Sequence, residues 1–555
     1  MAFNVYLPAL SAFVVTLLLL IASVSLLRRI VPSSPASSAK KKAPLGPADG
    51  FRVPDQLSRK LAAALPDSVI FPRDTEVFEE SMMSYWAQQE CEVVPACIVR
   101  PQDILELCTT VTLLKQEYDE RSKQASSGEV FSLFAVRSGG HSPVSGAASI
   151  EGGVLINLHH FREVTPSENG TSVVIGAGAK WMDVSTILDK HGLAVVGGRN
   201  SAVGVGGLTL GGGLSFFSPQ YGLVCSNVLS YELVLASGTV TTASATINSD
   251  LWQALKGGSN NFGIVTRFTV RSFVSTNIWS GLLYMPSFQT SKVLSAFHEF
   301  VNRGVTDDLS IAYDSHAAGP IVCFSYIWDA GLKTIAVNLV HTKPIETGNK
   351  WPACWRTSSF PSLWRLWSTC RVRTLTSATD ETNALNPPGR RQVFATTTIK
   401  NDLSTLAATH AAYNDAIASL RRAKVKGLVW TLVLQPLLPV WARKGDPNPL
   451  GLDDTNEPLV IVSFTVNWNE RCNDDFVKMT TRHTIEQIDA CATRSNTEHR
   501  YRYLNYCAEW QRPFESYGEE NLRFLQKMSK KYDPDGLFQR GCAGGFKLGL
   551  SDIHP

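Results

Sequence analysis

Arg137-Ser138-Gly139-Gly140-His141 is followed about sixty residues later by Gly204-Val205-Gly206-Gly207-Leu208-Thr209-Leu210-Gly211-Gly212-Gly213. Glycines between apolar segments let backbone N–H groups approach a ligand that side chains would hold off, and clustered N–H groups favour phosphate. A histidine closing the first loop adds a ring nitrogen at a fixed place beside that ligand. The pair points to a large phosphate-bearing cofactor with a nucleophile next to it. Two common cradles do not fit. The 204–213 run is out of register for Gly-x-Gly-x-x-Gly, and neither Gly-Lys-Ser nor Gly-Lys-Thr occurs.

Both loops sit in a region, 57–273, that alternates helical patterns with β-branched runs. Segments 96–99, 131–136, 154–157, 173–177, 231–236 and 264–270 read as strands bounded by Gly, Pro, Asn or Ser. The polar stretch 117–128 reads as a surface insertion ahead of the first loop. From 278 to about 500 the strands lengthen (279–285, 322–327, 429–435, 460–466) and alternate with long amphipathic helices. In 403–420, Leu403, Leu406, His410, Tyr413, Ile417 and Leu420 recur at steps of three and four, one face of a helix. A sheet covered on one face by helices follows, a second lobe of the α+β kind. The last stretch returns to the pattern of the first lobe: 501–508 reads as a strand and 519–531 as a helix.

The bulk numbers exclude some functions. Fifty-two Lys+Arg against 49 Asp+Glu leave a net charge of +3 with no basic stripe in the body, so nucleic acid has no footprint. The 11 cysteines are scattered and never spaced Cys-x-x-Cys, so no metal site is expected and most read as small buried apolar residues; Cys91 with Cys97 or Cys108 is a bridge only for an exported protein. Residues 5–27 carry no charge over 23 positions, and Arg28-Arg29 follow. Such a helix spans about 35 Å, enough for a bilayer core. With no basic start and too long an apolar run for a signal peptide, it reads as a single-pass anchor with the body on the cytoplasmic side. The alternative is a signal peptide near 1–25, a secreted or luminal body and a glycosylated Asn169. Residues 28–56 read as a flexible tether.

Five ordered motifs carry a resemblance to a known family. They are Val136–Ser142 with 153–158; Val174-Ile175-Gly176-Ala177-Gly178-Ala179 with Trp181; Gly197-Gly198-Arg199 through Val203–Gly207 to Gly213; Leu255–Val265; and Tyr503-Leu504-Asn505-Tyr506 with Tyr517-Gly518 and Lys531-Tyr532-Asp533-Pro534. The chain resembles the berberine-bridge-enzyme-like FAD-linked oxidoreductases of the vanillyl-alcohol oxidase / p-cresol methylhydroxylase (PCMH) superfamily, including those of fungal natural-product pathways. The resemblance implies an α+β fold: a two-lobed PCMH-type FAD-binding domain (57–275), an antiparallel-sheet substrate domain covered by helices (276–499), and a C-terminal segment (500–549) returning to the first.

It also implies roles. Arg137, Ser138, Gly139, Gly140 and Ser142, with Val203, Gly204, Gly206, Gly207, Gly211, Gly212 and Ile264, would hold FAD. His141 would carry it covalently, through a ring nitrogen to the 8α-methyl carbon. Some relatives add a link through a cysteine just before the Val-Gly-x-Gly-Gly segment; that position is Asn200 here, so a single link is expected. The C-terminal tyrosine strand would pass under the isoalloxazine. Strand alternation puts Tyr503 and Asn505 on one face and Leu504 and Tyr506 on the other. Tyr503 is then the expected substrate-side proton carrier, Asn505 a flavin partner and Tyr506 the competitor, with Gln435 on the pocket wall. Trp441 and Trp468 read as core or pocket wall, His159 and His160 as surface or packing residues, and Cys225 as a buried apolar residue.

The expected activity is oxidation of a small alcohol, amine or activated C–H, with or without ring closure, in secondary metabolism, with O₂ as the acceptor of an oxidase or excluded in a dehydrogenase. A carbohydrate oxidase of the same fold and a catalytically silent flavin-binding protein are the alternatives. The Trp- and Leu-rich middle lobe favours a closed apolar pocket over an open sugar groove.

Overall fold

The computed structural model describes residues 55–124, 131–303, 313–345 and 350–549. The apolar segment 5–27 lies outside them. Among the described residues no helix is long and apolar enough to cross a membrane.

The first sheet contains β1 (Val69–Ile70), β2 (Cys97–Val99), β3 (Phe134–Arg137) and β4 (Val154–Asn157) in the order β1-β2-β4-β3. β2 and β3 both run parallel to β4. Parallel neighbours need a crossover, and helix Ile104–Gln124 supplies it between β2 and β3. β2 and β4 are buried along their whole length, which is why they read as unbroken apolar runs.

The second sheet is antiparallel. β5 (Val164–Pro166), β6 (Ser172–Gly176), β8 (Val228–Val234), β9 (Val240–Ser244) and β10 (Ile264–Val274) take the order β5-β6-β10-β8-β9. β7 (Leu193–Val195) pairs with the far end of β10. These two sheets share one core with Tyr501, Tyr503, Leu525 and Leu537 of the returning C-terminal segment.

Residues 275–277 separate β10 from β11 (Ile278–Pro286), the first strand of a nine-stranded antiparallel sheet. Its other members are β12 (Ala317–Ile327), β13 (Leu332–His341), β14 (Trp367–Ser368), β15 (Arg371–Arg373), β16 (Arg391–Lys400), β17 (Val429–Leu437), β18 (Leu459–Trp468) and β19 (Glu498–His499). The order is β14-β11-β13-β12-β17-β18-β16-β19, with β15 beside β11. Residues of helices Thr290–Asn302, Leu403–Ala423 and Asp474–Arg494 form a second core with one face of this sheet.

Helix Leu403–Ala423 shows how sequence fixes that cover. Asp402 caps it by accepting from the Thr405 N–H at 2.7 Å, and Lys424 ends it in a left-handed turn (φ 53°). Leu406, Tyr413, Ile417 and Leu420 are buried against the sheet. Each buried side chain contributes about 1.5–3 kcal/mol, so truncating Leu420 would loosen the whole cover. Leu403 stays exposed.

Two sequence expectations are corrected. Residues 117–124 continue the crossover helix, because Tyr118 is buried and Lys115–Asp119 and Arg121–Glu117 pair one turn apart; 125–128 lie outside the described residues. Segment 501–508 is not a strand. Tyr506 N–H bonds the Tyr503 carbonyl (2.9 Å) and Cys507 N–H that of Leu504 (3.1 Å), closing a turn at Leu504–Tyr506 that joins no ladder. No disulfide forms among the described residues: Cys91, Cys97 and Cys108 are free of one, and Cys225 is a buried apolar residue.

Candidate active site

β3 delivers the chain into the loop 138–142, and that loop touches the second glycine run backbone to backbone. A Cβ on Gly139 would lie 2.5 Å from both N and Cα of Gly204, and one on Gly204 would lie 2.5 Å from the Gly139 nitrogen. No side chain fits there, because both obstacles are main chain. Gly140 is left-handed (φ 64°), and its Cβ would strike Tyr85 at 2.9 Å. Ser138 Oγ donates to the Ala177 carbonyl at 2.6 Å and locks the loop onto the second sheet. Gly207 instead has nothing within 4 Å of where a Cβ would stand. It opens onto a cavity.

That cavity, about 1540 Å³, is also lined by Ser138, Gly139, Gly140, His141, Ser142, Asn200, Val203, Gly204, Gly206, Ile264, Gln435, Tyr503, Asn505 and Tyr506. Ligand pockets usually measure roughly 300–1,000 Å³, so this one has room for a cofactor and a substrate together. Three expected cofactor residues do not line it. Arg137 points its guanidinium away, to the Ser81 carbonyl (2.8 Å) and hydroxyl (2.5 Å), 4.4 Å over the Tyr85 ring. Strand alternation is the reason, since Ser138 takes the cavity side. Gly211 provides close packing, as its Cβ would fall 2.2 Å from Asn505 Oδ1, and Gly212 serves a left-handed turn (φ 99°).

The His141 ring stacks on Trp86 with centroids 4.4 Å apart and planes 8° from parallel. Trp86 is held in turn by its indole N–H on the Asn386 carbonyl at 2.9 Å. The Nε2 atom of His141 is shut off from solvent and has no hydrogen-bond partner. Burial pushes the imidazole down to about 4, so the ring is neutral and keeps a lone pair. Sequence reasoning missed Trp86; nothing in the spacing of a tryptophan so far upstream signals that it braces a loop histidine.

Two tyrosines with different surroundings lie on the other side. Tyr503 is 2% exposed. Its oxygen accepts from Leu214 N–H and Asn505 Nδ2, both at 3.1 Å. Burial pushes its phenol well up, with Tyr506 adding to the shift. Tyr506 stands edge-on to it, ring centroids 4.8 Å apart. The Tyr506 oxygen accepts from Arg199 Nη2 at 3.0 Å and Gln435 Nε2 at 3.3 Å. The turn at Leu504–Tyr506 therefore brings both tyrosines to one place, where strand alternation would have parted them. Asn505 donates to the Leu208 carbonyl (3.1 Å) as well as to Tyr503. Arg199 went unread in the sequence because a guanidinium beside a glycine pair gives no hint of a phenol some three hundred residues on.

The large sheet closes the cavity with its helix-free face. Along β12, Val322, Phe324 and Tyr326 enter the helical core while Cys323 and Ser325 face the cavity; along β17, Trp430, Leu432 and Leu434 enter the core while Thr431, Val433 and Gln435 do not. Asn338, Ser463, Thr465 and Asn467 add polar groups to this wall. The apolar character expected of the middle lobe holds, since Leu282, Ile321, Ile327, Leu332, Leu366 and Trp367 also line the cavity, while Trp355, Trp430, Trp441 and Trp468 belong to the helical core. His159 and His160 are exposed.

The FAD binding domain family model matches residues 95–244. FAD-dependent monooxygenase FUP4 of Fusarium proliferatum is 34% identical over 477 residues, covering 84% of this chain and 87% of that protein. The chain belongs to the berberine-bridge-enzyme-like FAD-linked oxidoreductases. In fold it is similar to BBE-like 1 of Physcomitrella patens (TM-score 0.66, 18% identity, 89% of this chain and 100% of that one). It is also similar to the glucooligosaccharide oxidase of Acremonium strictum, whose FAD is described as 6-S-cysteinyl, 8α-N1-histidyl (TM-score 0.67, 18% identity, 89% and 99%).

This berberine-bridge-enzyme-like protein is an FAD-dependent oxidoreductase, and its site suits the cofactor. The open face at Gly207 and the glycine contact at 139/204 leave a main-chain cradle, and His141 lines the same cavity. Asn200, which lines the cavity, caps its own turn by accepting from Ala202 N–H at 2.9 Å and offers no thiol.

Proposed function

We propose that FAD is attached once, through His141, and that the enzyme oxidises a small, neutral, oxygen-bearing substrate held between the flavin and the helix-free face of the large sheet. Bound FAD supplies the hydride acceptor. The protein contributes orientation and proton handling. The observation that carries the reading is the shared cavity of an unpartnered, neutral His141 nitrogen and a Tyr506 oxygen gripped by Arg199 and Gln435. In its phenolate form Tyr506 would take the substrate proton and become neutral, while Arg199 Nη2, 3.0 Å away, holds that oxygen in place. Tyr506, rather than the fully buried Tyr503, is the proton acceptor we assign. Tyr503 and Asn505 brace the turn that positions it. Ser325, Thr431 and Asn467 supply donors and acceptors for hydroxyl or carbonyl groups without fixed charge.

The monooxygenase name of the 34% relative and the family resemblance support a place in secondary-metabolite biosynthesis. The hydroxyl and amide groups among that lining keep an oligosaccharide oxidase as the second reading. The experiment is anaerobic flavin reduction by the purified protein, with aromatic or aliphatic alcohols in one series and oligosaccharides in the other. It is paired with acid precipitation of wild type and His141→Ala. Flavin that stays in the wild-type pellet and leaves that of the variant supports the attachment; flavin leaving both refutes it.

A further inference from the structure

The loop after the last helix carries a cation with no partner. Lys547 lines the cofactor cavity, its Nζ is shut off from solvent, and no hydrogen-bond acceptor reaches it. Among the described residues, the other cationic side chains lining the cavity are Arg199, Arg390 and Arg512. Each is engaged: Arg199 on Tyr506, Arg390 on the Gly427 carbonyl and Arg512 on Glu515. Asp533, the acid whose charge Lys547 senses, has both oxygens occupied by the N–H groups of Leu537 (2.8 Å) and Phe538 (2.7 Å). An ammonium left this way is costly, and burial holds Lys547 below the ordinary lysine range.

The loop's contacts say which end of the cavity it serves. Gly544 (φ 76°) is pressed on the backbone that continues from His141, since its Cβ would lie 2.3 Å from the Ala147 carbonyl oxygen. A Cβ on Gly545 (φ 67°) would lie 2.6 Å from the side-chain Oδ1 of Asn260, just before β10. Lys547 is therefore held on the side of the glycine loops. Those loops offer main-chain N–H groups and no formal charge, because Arg137 is turned outward.

We propose that Lys547 is a cofactor-binding residue whose ammonium pairs with the diphosphate of FAD, supplying the positive charge that the two glycine loops lack. The inference rests on the flavin reading of the cavity. It predicts that this lysine discriminates FAD from riboflavin, which has the same ring system and no phosphate.

The test uses the His141→Ala protein, in which flavin exchanges, and measures FAD and riboflavin affinity by quenching of flavin fluorescence at low and high salt. Adding Lys547→Met should weaken FAD roughly 10–100-fold, the range for a hydrogen bond to a charged group. It should leave riboflavin within about 2-fold and flatten the salt dependence of FAD binding. Lys547→Arg should keep most of the FAD affinity. Unchanged FAD affinity in Lys547→Met overturns the proposal, as does equal weakening of FAD and riboflavin in both variants. If the parent protein binds neither flavin, the flavin reading itself fails and this inference falls with it.

Discussion

Attachment of FAD to His141 should be nearly independent of pH in the mildly acid range. An imidazole at its ordinary 6.5 is about one-tenth neutral at about pH 5.5, so a nucleophile of that kind would lose roughly tenfold in rate between about pH 8 and 5.5. His141 is pushed by burial to about 4 and stays almost wholly neutral over the same interval. The rate should then fall by less than about 10%. Apoprotein made under riboflavin limitation would be mixed with FAD across this pH series, and flavin in acid-precipitated pellets counted against time. A tenfold fall toward pH 5.5 would mean that the ring titrates as if exposed. The stacked setting on Trp86, with Nε2 shut off from solvent, would then be the wrong account of its reactivity. The same burial has a cost in acid. The unfolded chain takes up this proton first, near 6.5, so the apoprotein should lose stability as pH falls from about 6.5 to about 4, by up to about 3 kcal/mol from this group. His410 and His499, also buried and also lowered to about 4, act in the same direction.

Three other outcomes follow from the geometry. Gly139→Ala meets main chain at 2.5 Å and should give protein without flavin and with a lower melting temperature; Gly207→Ala, with open space around it, should melt like wild type yet bind less flavin. Tyr506→Phe should slow anaerobic flavin reduction by about 10²–10⁴-fold at full flavin content, whereas Tyr503→Phe should slow it by less than about tenfold while destabilising the turn. Equal effects on reduction would sink the assignment of Tyr506. Arg391, 3% exposed, joins Glu92 (2.6 Å), just before β2, to Asp474 at the start of helix Asp474–Arg494; Arg391→Met leaves both carboxylates without their cation, and urea unfolding should show a loss of about 3–5 kcal/mol.

Much was legible in order along the chain. The glycine loops, the histidine that closes the first and the missing cysteine at Asn200 are local facts of backbone space and side-chain chemistry, and one sequence suffices to read them. So is the 403–420 face, because burial on one side of a helix imposes its period on the residues. The short parallel strands were readable as apolar runs for the same reason.

What the sequence could not settle depends on groups far apart in the chain meeting in space. Alternation along a supposed strand separated Tyr503 from Tyr506, and only the turn held by Asn505 and Leu214 brought them together. Tryptophans and leucines counted along the middle lobe suggested an apolar pocket, and the lining is mainly apolar; which of them reach it, Trp367 and Leu366 but not Trp430 or Trp468, only the two faces of the sheet decide. Trp86 under His141, Arg199 on Tyr506 and Lys547 on the side of the glycine loops are likewise products of packing. Residue types fixed the chemistry available to this protein; burial and the direction of each side chain decided which groups could use it.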